Sequence, residues 1–159
     1  MNDSGTVPLT REGHARLTEE LKHMKEERPV VSKAIEEARA HGDLSENAEY
    51  HAAREKLGML QAQITRLEDV LSRSEVIDPG RFTDTRIRFG ATVTLFDEDN
   101  DVEVTYQIVG EPEADIEKNL LSVMAPLGRA LIGKEEGDDL EFKAPGGIRH
   151  FSILAVEYI

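Results

Sequence analysis

The stretch Arg39-Ala40-His41-Gly42-Asp43-Leu44-Ser45-Glu46-Asn47 holds two carboxylates three residues apart. Carboxylate oxygens are hard donors, and a pair of them suits Mg2+, which prefers oxygen ligands and keeps several waters. Two alone hold the ion weakly, so a metal role for Asp43 and Glu46 needs a partner that supplies the rest of the cage. The same spacing has a plainer explanation. Asp followed three residues later by Glu is a capping box, with Asp43 as N-cap and Glu46 at N3, and carboxylates suit a helix N-terminus electrostatically. On spacing alone, capping is the better explanation. His41 and His51 flank the acids, but no H-E-x-x-H spacing sets them together, and both read as exposed surface groups.

A second stretch, Gly128-Arg129-Ala130-Leu131-Ile132-Gly133-Lys134, matches G-x-x-x-x-G-K. A phosphate-binding loop needs a Ser or Thr hydroxyl next, and Glu135 stands there instead. Bulky Leu131 and Ile132 and the acidic run behind them also speak against a nucleotide. The stretch reads as a core-forming helical turn followed by a solvated loop. Pro145-Gly146-Gly147 reads as a hairpin turn.

The elements that would carry the acid pair are long helices. From a plausible N-cap at Thr10, apolar positions follow at Leu17, Leu21, Met24, Val31, Ile35 and Ala38, with Arg28 filling the one polar step. The intervals alternate four and three, which is a heptad seam. A second run reads Tyr50, Ala53, Leu57, Leu60, Ile64, Leu67 and Leu71. The two ladders are mirror images about Leu44: Ala38 stands opposite Tyr50, Val31 opposite Leu57, Arg28 opposite Leu60, Leu17 opposite Leu71. An antiparallel hairpin needs that symmetry and a parallel dimer does not, so a monomer is expected. Gly42 stands where a C′ residue would end the first helix. Pro29 interrupts no heptad phase and predicts a kink rather than a break. At ~1.5 Å per residue, Thr10 to His41 spans roughly 45 Å, with the acids at its turn.

Near residue 78 the character changes. Residues 72–86 carry turn signals and read as a linker. FGATVTLFD (89–97) and VEVTYQIVG (102–110) alternate like strands around the turn EDND, LLSVMAPL (120–127) is a further candidate strand, and the last twenty residues read as two strands joined at Pro145-Gly146-Gly147. The expected organisation is a helical domain over 1–78 and a small domain over 79–159 with four or five strands and one short helix, the latter able to fold as an 84–159 fragment.

Composition limits what this assembly does. No cysteine is present, which excludes a thiol nucleophile, a disulfide scaffold and a thiolate-bound metal. The net charge of −13 is shared by both halves, so neither has the bulk charge of a duplex-DNA binder. No stretch nears the ~20 apolar residues that span a bilayer, and the N-terminus lacks an apolar signal core. A soluble, cytoplasmic protein with no membrane partner is expected.

ARAHGDLSENAEYHAARE (38–55) closely resembles the signature of the bacterial Gre family of transcript cleavage factors, with NAEYHAARE nearer its GreA type than its GreB type. FGATVTL, YQIVG, EADIEKNLLSV, PLGRALIGKEEGDD and APGG follow that pattern in order, so the resemblance covers nearly the whole chain. It implies an α+β fold: an N-terminal antiparallel coiled-coil hairpin and a C-terminal FKBP-like α/β domain with a mostly antiparallel sheet. It implies a partner, bacterial RNA polymerase, whose secondary channel admits the coiled coil while the C-terminal domain docks on the rim through the region of Pro126, Gly128, Ile132, Gly133 and Lys134. Asp43 and Glu46 match the tip acids that complete a Mg2+ site at the polymerase centre, the ion being held jointly and not by the isolated chain. Tyr50, Asn47, Arg39 and Arg54 match the tip and basic flank facing the nascent RNA 3′ end. The implied role is accessory: the polymerase hydrolyses the backtracked RNA.

Lys56-Leu57-Gly58-Met59 departs from the family's commoner Gln-Gln-Gly-Phe type. A channel-binding regulator that does not promote cleavage is the main rival, and the intact Gly42-Asp43-Leu44-x-Glu46-Asn47 run argues against it. An FKBP-type prolyl isomerase would need an aromatic-lined pocket, and the second half has few aromatics and no Trp.

Overall fold

A computed structural model of the chain describes residues 5–40, 47–78 and 83–159. Gly42, Asp43 and Glu46 fall outside those residues, as do His41 and the middle of the 72–86 stretch. The chain divides into two compact units. One is Ala15–Arg73; the other joins the N-terminal stretch through His14 to Ser74–Ile159.

The first unit is two helices. Helix α1 (Arg11–Arg39) runs unbroken through Pro29, and helix α2 spans Ala48–Ser72. All fourteen seam positions are buried or half-buried. Leu17, Val31, Ala38, Tyr50, Leu60, Ile64 and Leu67 are the buried ones, with Ile64 only 2% exposed. Val31, Leu60 and Ile64 form one cluster, covered by Leu21, Met24 and Leu57, so residues mirrored about Leu44 do pack together. Arg28 is half-buried within the seam, as expected of a side chain that packs its stem and keeps its head in water. Two ion pairs flank it, Lys25 to Glu68 at 2.8 Å and Lys56 to Glu27 at 3.1 Å. The hydrogen bond from Lys25 holds the Glu68 carboxyl below its ordinary pKa. Such exposed pairs set register more than stability.

Gly58 lies in the interior of α2 and is exposed, and a Cβ added there would meet open space. A helical glycine costs roughly 0.5–1 kcal/mol relative to alanine. Gly58→Ala should therefore raise the urea midpoint of unfolding by an amount equivalent to that energy; an unchanged or lowered midpoint would mean the glycine answers a need of the native hairpin.

In the second unit, strand β1 (Val7–Thr10) pairs in parallel with β2 (Ser74–Ile77). Neither strand follows from the sequence reading, which treats the first as the run-in to a helix and the second as linker. Their four-residue length gives too little alternation to register. Five further strands form one sheet: β3 (Thr92–Asp97), β4 (Val102–Val109), β5 (Leu120–Ser122), β6 (Asp139–Ala144) and β7 (Gly147–Glu157). Their order is β5-β4-β3-β7-β6, antiparallel throughout except for the β4–β5 pair. Val93 and Leu95 of β3 point into a core with Ile108, Leu121, Phe151 and Ile153. Helix α3 (Pro126–Leu131) adds Leu131, which is fully buried. The strand expected over 120–127 thus ends at Ser122 and gives way to this helix, because Pro126 cannot donate to a ladder and suits a first helical turn. The tight turn expected at 145–147 joins β6 to β7, with Ala144 paired to Gly147.

Thr10 caps α1, its Oγ1 accepting from the Gly13 N–H at 3.0 Å. The buried Glu113 carboxylate in turn accepts from the Thr10 N–H at 2.8 Å, the Thr10 hydroxyl and the Gly110 N–H at 3.1 Å. Gly13 permits this approach, since a Cβ there would fall 1.9 Å from Glu113 Oε1. The compact unit holding 79–159 therefore also takes in the first turn of α1, and its division from the hairpin does not run at residue 78. Among the described residues, no helix is long and apolar enough to cross a membrane.

Candidate functional site

Between the end of α1 and the start of α2 lie the acids that the sequence singles out. Asp43 and Glu46 themselves are outside the described residues; the described chain resumes at Asn47. Helix α1 closes at Arg39, where the Ala40 N–H reaches back to the Glu37 carbonyl at 3.2 Å. Helix α2 opens at Ala48, and its N-cap is Asn47, in extended backbone with φ −87 and ψ 100. The Asn47 Oδ1 accepts from the Tyr50 N–H at 3.1 Å. Asp43 and Glu46 stand four and one positions ahead of this N-cap, and the capping reading of the pair itself lies outside the described residues. The signal for Asn47 was present in the sequence, since Asn directly before a helix-period run is among the best N-caps.

The same Asn47 side chain also donates, from Nδ2 to the Ala38 carbonyl at 2.7 Å. That carbonyl belongs to the last turn of α1, whose final C=O groups lack helical partners. One amide thus satisfies an orphan acceptor of one helix and an orphan donor of the next. Sequence reasoning groups Asn47 with the RNA-facing residues; in the structure both ends of its amide are engaged within the hairpin.

Tyr50, Arg39 and Arg54 come together. Tyr50 is a seam residue, 8% exposed, so the structure packs its ring rather than presenting it. The Arg54 guanidinium carbon lies 5.7 Å from the Tyr50 ring centroid, within cation–π range, and the His51 ring meets Tyr50 edge-on at 5.5 Å. Arg39 and Arg54 are exposed. With Tyr50 they line one shallow groove that continues over Ser32, Ile35, Glu36, Leu57, Gly58 and Gln61. Two exposed guanidinium groups can engage a phosphate, opposed by the Glu36 carboxylate in the same groove. Among the described residues no three His, Asp or Glu side chains stand close enough to hold a metal ion.

The second stretch of interest resolves into scaffold. Gly128 is buried in α3, where a Cβ would fall 2.2 Å from the Ser122 carbonyl. The Arg129, Ile132, Gly133 and Lys134 N–H groups donate to Ala125, Gly128, Ile87 and Leu131 carbonyls. A phosphate cradle needs those donors free, so the nucleotide reading fails on geometry as well as on Glu135. Arg86 fastens the loop, donating to the Gly133 carbonyl and pairing with Glu135 at 2.7 Å. Pro126 and Ile132 are exposed on this element, Gly133 turns with φ +89, and Lys134 is half-buried.

Comparison with known proteins bears on both units. Residues 7–76 match the family described as "Transcription elongation factor, N-terminal", and residues 83–158 match "Transcription elongation factor, GreA/GreB, C-term". The chain is similar to the transcription elongation factor GreA of Paracoccus denitrificans, 56% identical over 154 residues, covering 96% of this chain and 98% of that protein. It is 57% identical over 153 residues to the GreA of Ruegeria pomeroyi, covering 96% and 97%. A solved structure of GreA factor homolog 1 from Thermus thermophilus is 28% identical, covering 96% of this chain and 99% of that one, with a TM-score of 0.45. With both units matched in order and relatives sharing more than half of its residues, the chain belongs to the GreA/GreB family of transcription elongation factors.

Proposed function

We propose that this chain binds bacterial RNA polymerase, enters its secondary channel with the helical hairpin, and stimulates Mg2+-dependent cleavage of backtracked nascent RNA by the polymerase. The observation that supports the reading is the antiparallel seam of α1 and α2, buried or half-buried at all fourteen positions. In sequence, Asp43 and Glu46 fall between these two long helices. Family membership supports the polymerase as partner.

The donor set fits a shared ion. Two carboxylates offer oxygen ligands of the kind Mg2+ takes, and too few to hold it without the polymerase. When bound, Mg2+ activates water and neutralises charge at the scissile phosphate. The seam, locked along fourteen positions, keeps the two helices in register as a stiff carrier. Arg39 and Arg54 face the RNA phosphates from the flank of the turn. The chain itself is an accessory factor acting as a monomer in the cytoplasm, and the chemistry is the polymerase's.

A stalled polymerase–RNA complex tests this directly. Adding the protein should release a short 3′ RNA fragment and restart elongation, and should do neither without Mg2+. Binding with inhibition of elongation and no released fragment would favour the non-cleaving regulator instead.

A further inference from the structure

We infer that Asn47 is a positioning residue: its side chain clamps the last turn of α1 to the first turn of α2 and thereby fixes the carboxylates carried between them. This rests on the function proposed above. The geometry is a two-ended bridge. Asn47 Nδ2 donates to the Ala38 carbonyl at 2.7 Å, and Oδ1 accepts from the Tyr50 N–H at 3.1 Å. The Asn amide carries its donor and its acceptor on two separate atoms, and here each reaches a different helix. Asp supplies two acceptors, and Ser is too short to span both helices. The bridge is set beside the terminal seam pair, Ala38 at 4% and Tyr50 at 8% exposure, so its ends are anchored on packed backbone. It is the last described tie between the helices before the turn. Asn47 is half-buried, with both polar atoms satisfied inside the hairpin, which suits a clamp better than a residue reaching for RNA.

Two substitutions separate the bridge from the cap. Asn47→Asp and Asn47→Ser both keep a good N-cap and both lose the donor to Ala38, and they differ in charge. Full-length variants would be assayed on stalled polymerase complexes across a Mg2+ titration, with helicity by circular dichroism and polymerase affinity measured in parallel. The clamp predicts unchanged helicity and affinity in both variants. It predicts cleavage slowed several-fold to about tenfold at limiting Mg2+, the worth of one hydrogen bond, and recovered at high Mg2+. Normal rates at every Mg2+ concentration would overturn it. So would a lowered plateau at an unchanged Mg2+ midpoint, which is the mark of a lost RNA contact. An Asp43→Asn/Glu46→Gln protein run alongside separates the two levels: if it cleaves normally, the functional reading fails, whereas normal Asn47 variants beside an inactive acid-pair variant remove only the clamp.

Discussion

Replacing Asp43 by Asn and Glu46 by Gln together should abolish stimulated RNA cleavage while leaving the protein folded and bound to polymerase. Both changes preserve size, remove the charge and turn one acceptor oxygen of each group into an amide donor. Helix α2 takes its N-cap from Asn47, so that cap is kept in the double variant. A ligand lost from a catalytic cation forfeits charge stabilisation of several kcal/mol, and each ~1.4 kcal/mol is a tenfold change in rate. A loss on the order of a thousandfold is therefore expected for the pair, eased in part by raised Mg2+. The measurement is fragment release from a stalled complex, with affinity followed separately by competition against the unmodified protein. A double variant that rescues stalled complexes at the normal rate ends the metal reading and leaves the turn as a connector.

Leu60→Ala should cost about 2–5 kcal/mol, the range for truncating a buried leucine whose cavity cannot fully collapse. Leu60 is 5% exposed and packs with Val31 and Ile64 under a cover of Leu21, Met24 and Leu57. A two-helix seam has no second layer to close over the void. The loss should show as a lower melting temperature of the helical signal. Arg28→Leu, at the mirrored position, should be neutral or stabilising, because it replaces the one polar step of the seam. A melting temperature for Leu60→Ala equal to that of the parent would contradict the register itself.

The hairpin was legible because a helix writes its contacts into sequence at three- and four-residue intervals, and the mirror about Leu44 added the direction of pairing. The strands from β3 to β7 were legible for a similar reason, through alternation such as Val93 and Leu95 against Thr92 and Thr94. What escaped was non-local or short. The β1–β2 pair spans four residues on each side and joins segments separated by both helices. The bond of Thr10 to Glu113 crosses 103 positions, and no local pattern marks Glu113 as buried. Asn47 was visible as a polar residue beside the acids, yet its double engagement depends on where the Ala38 carbonyl stands. The spacing of Asp43 and Glu46 reads as a capping box, while helix α2 takes its N-cap from Asn47.

The attachment of Thr10 to Glu113 has a consequence for synthesis. Ribosomes add about 5–20 residues per second, so Thr10 leaves the tunnel roughly 5–20 seconds before the carboxylate that will hold it. Within that interval Ala15–Arg73 is completed, and its seam is built from contacts within one contiguous stretch. The hairpin can close while the strand ahead of it still waits. Val7–Thr10 can then pair with Ser74–Ile77, which brings Thr10 nearer along the chain to the Glu113 still to come. The two helices would thus act, during birth of the chain, as the clasp that shortens a search across 103 positions.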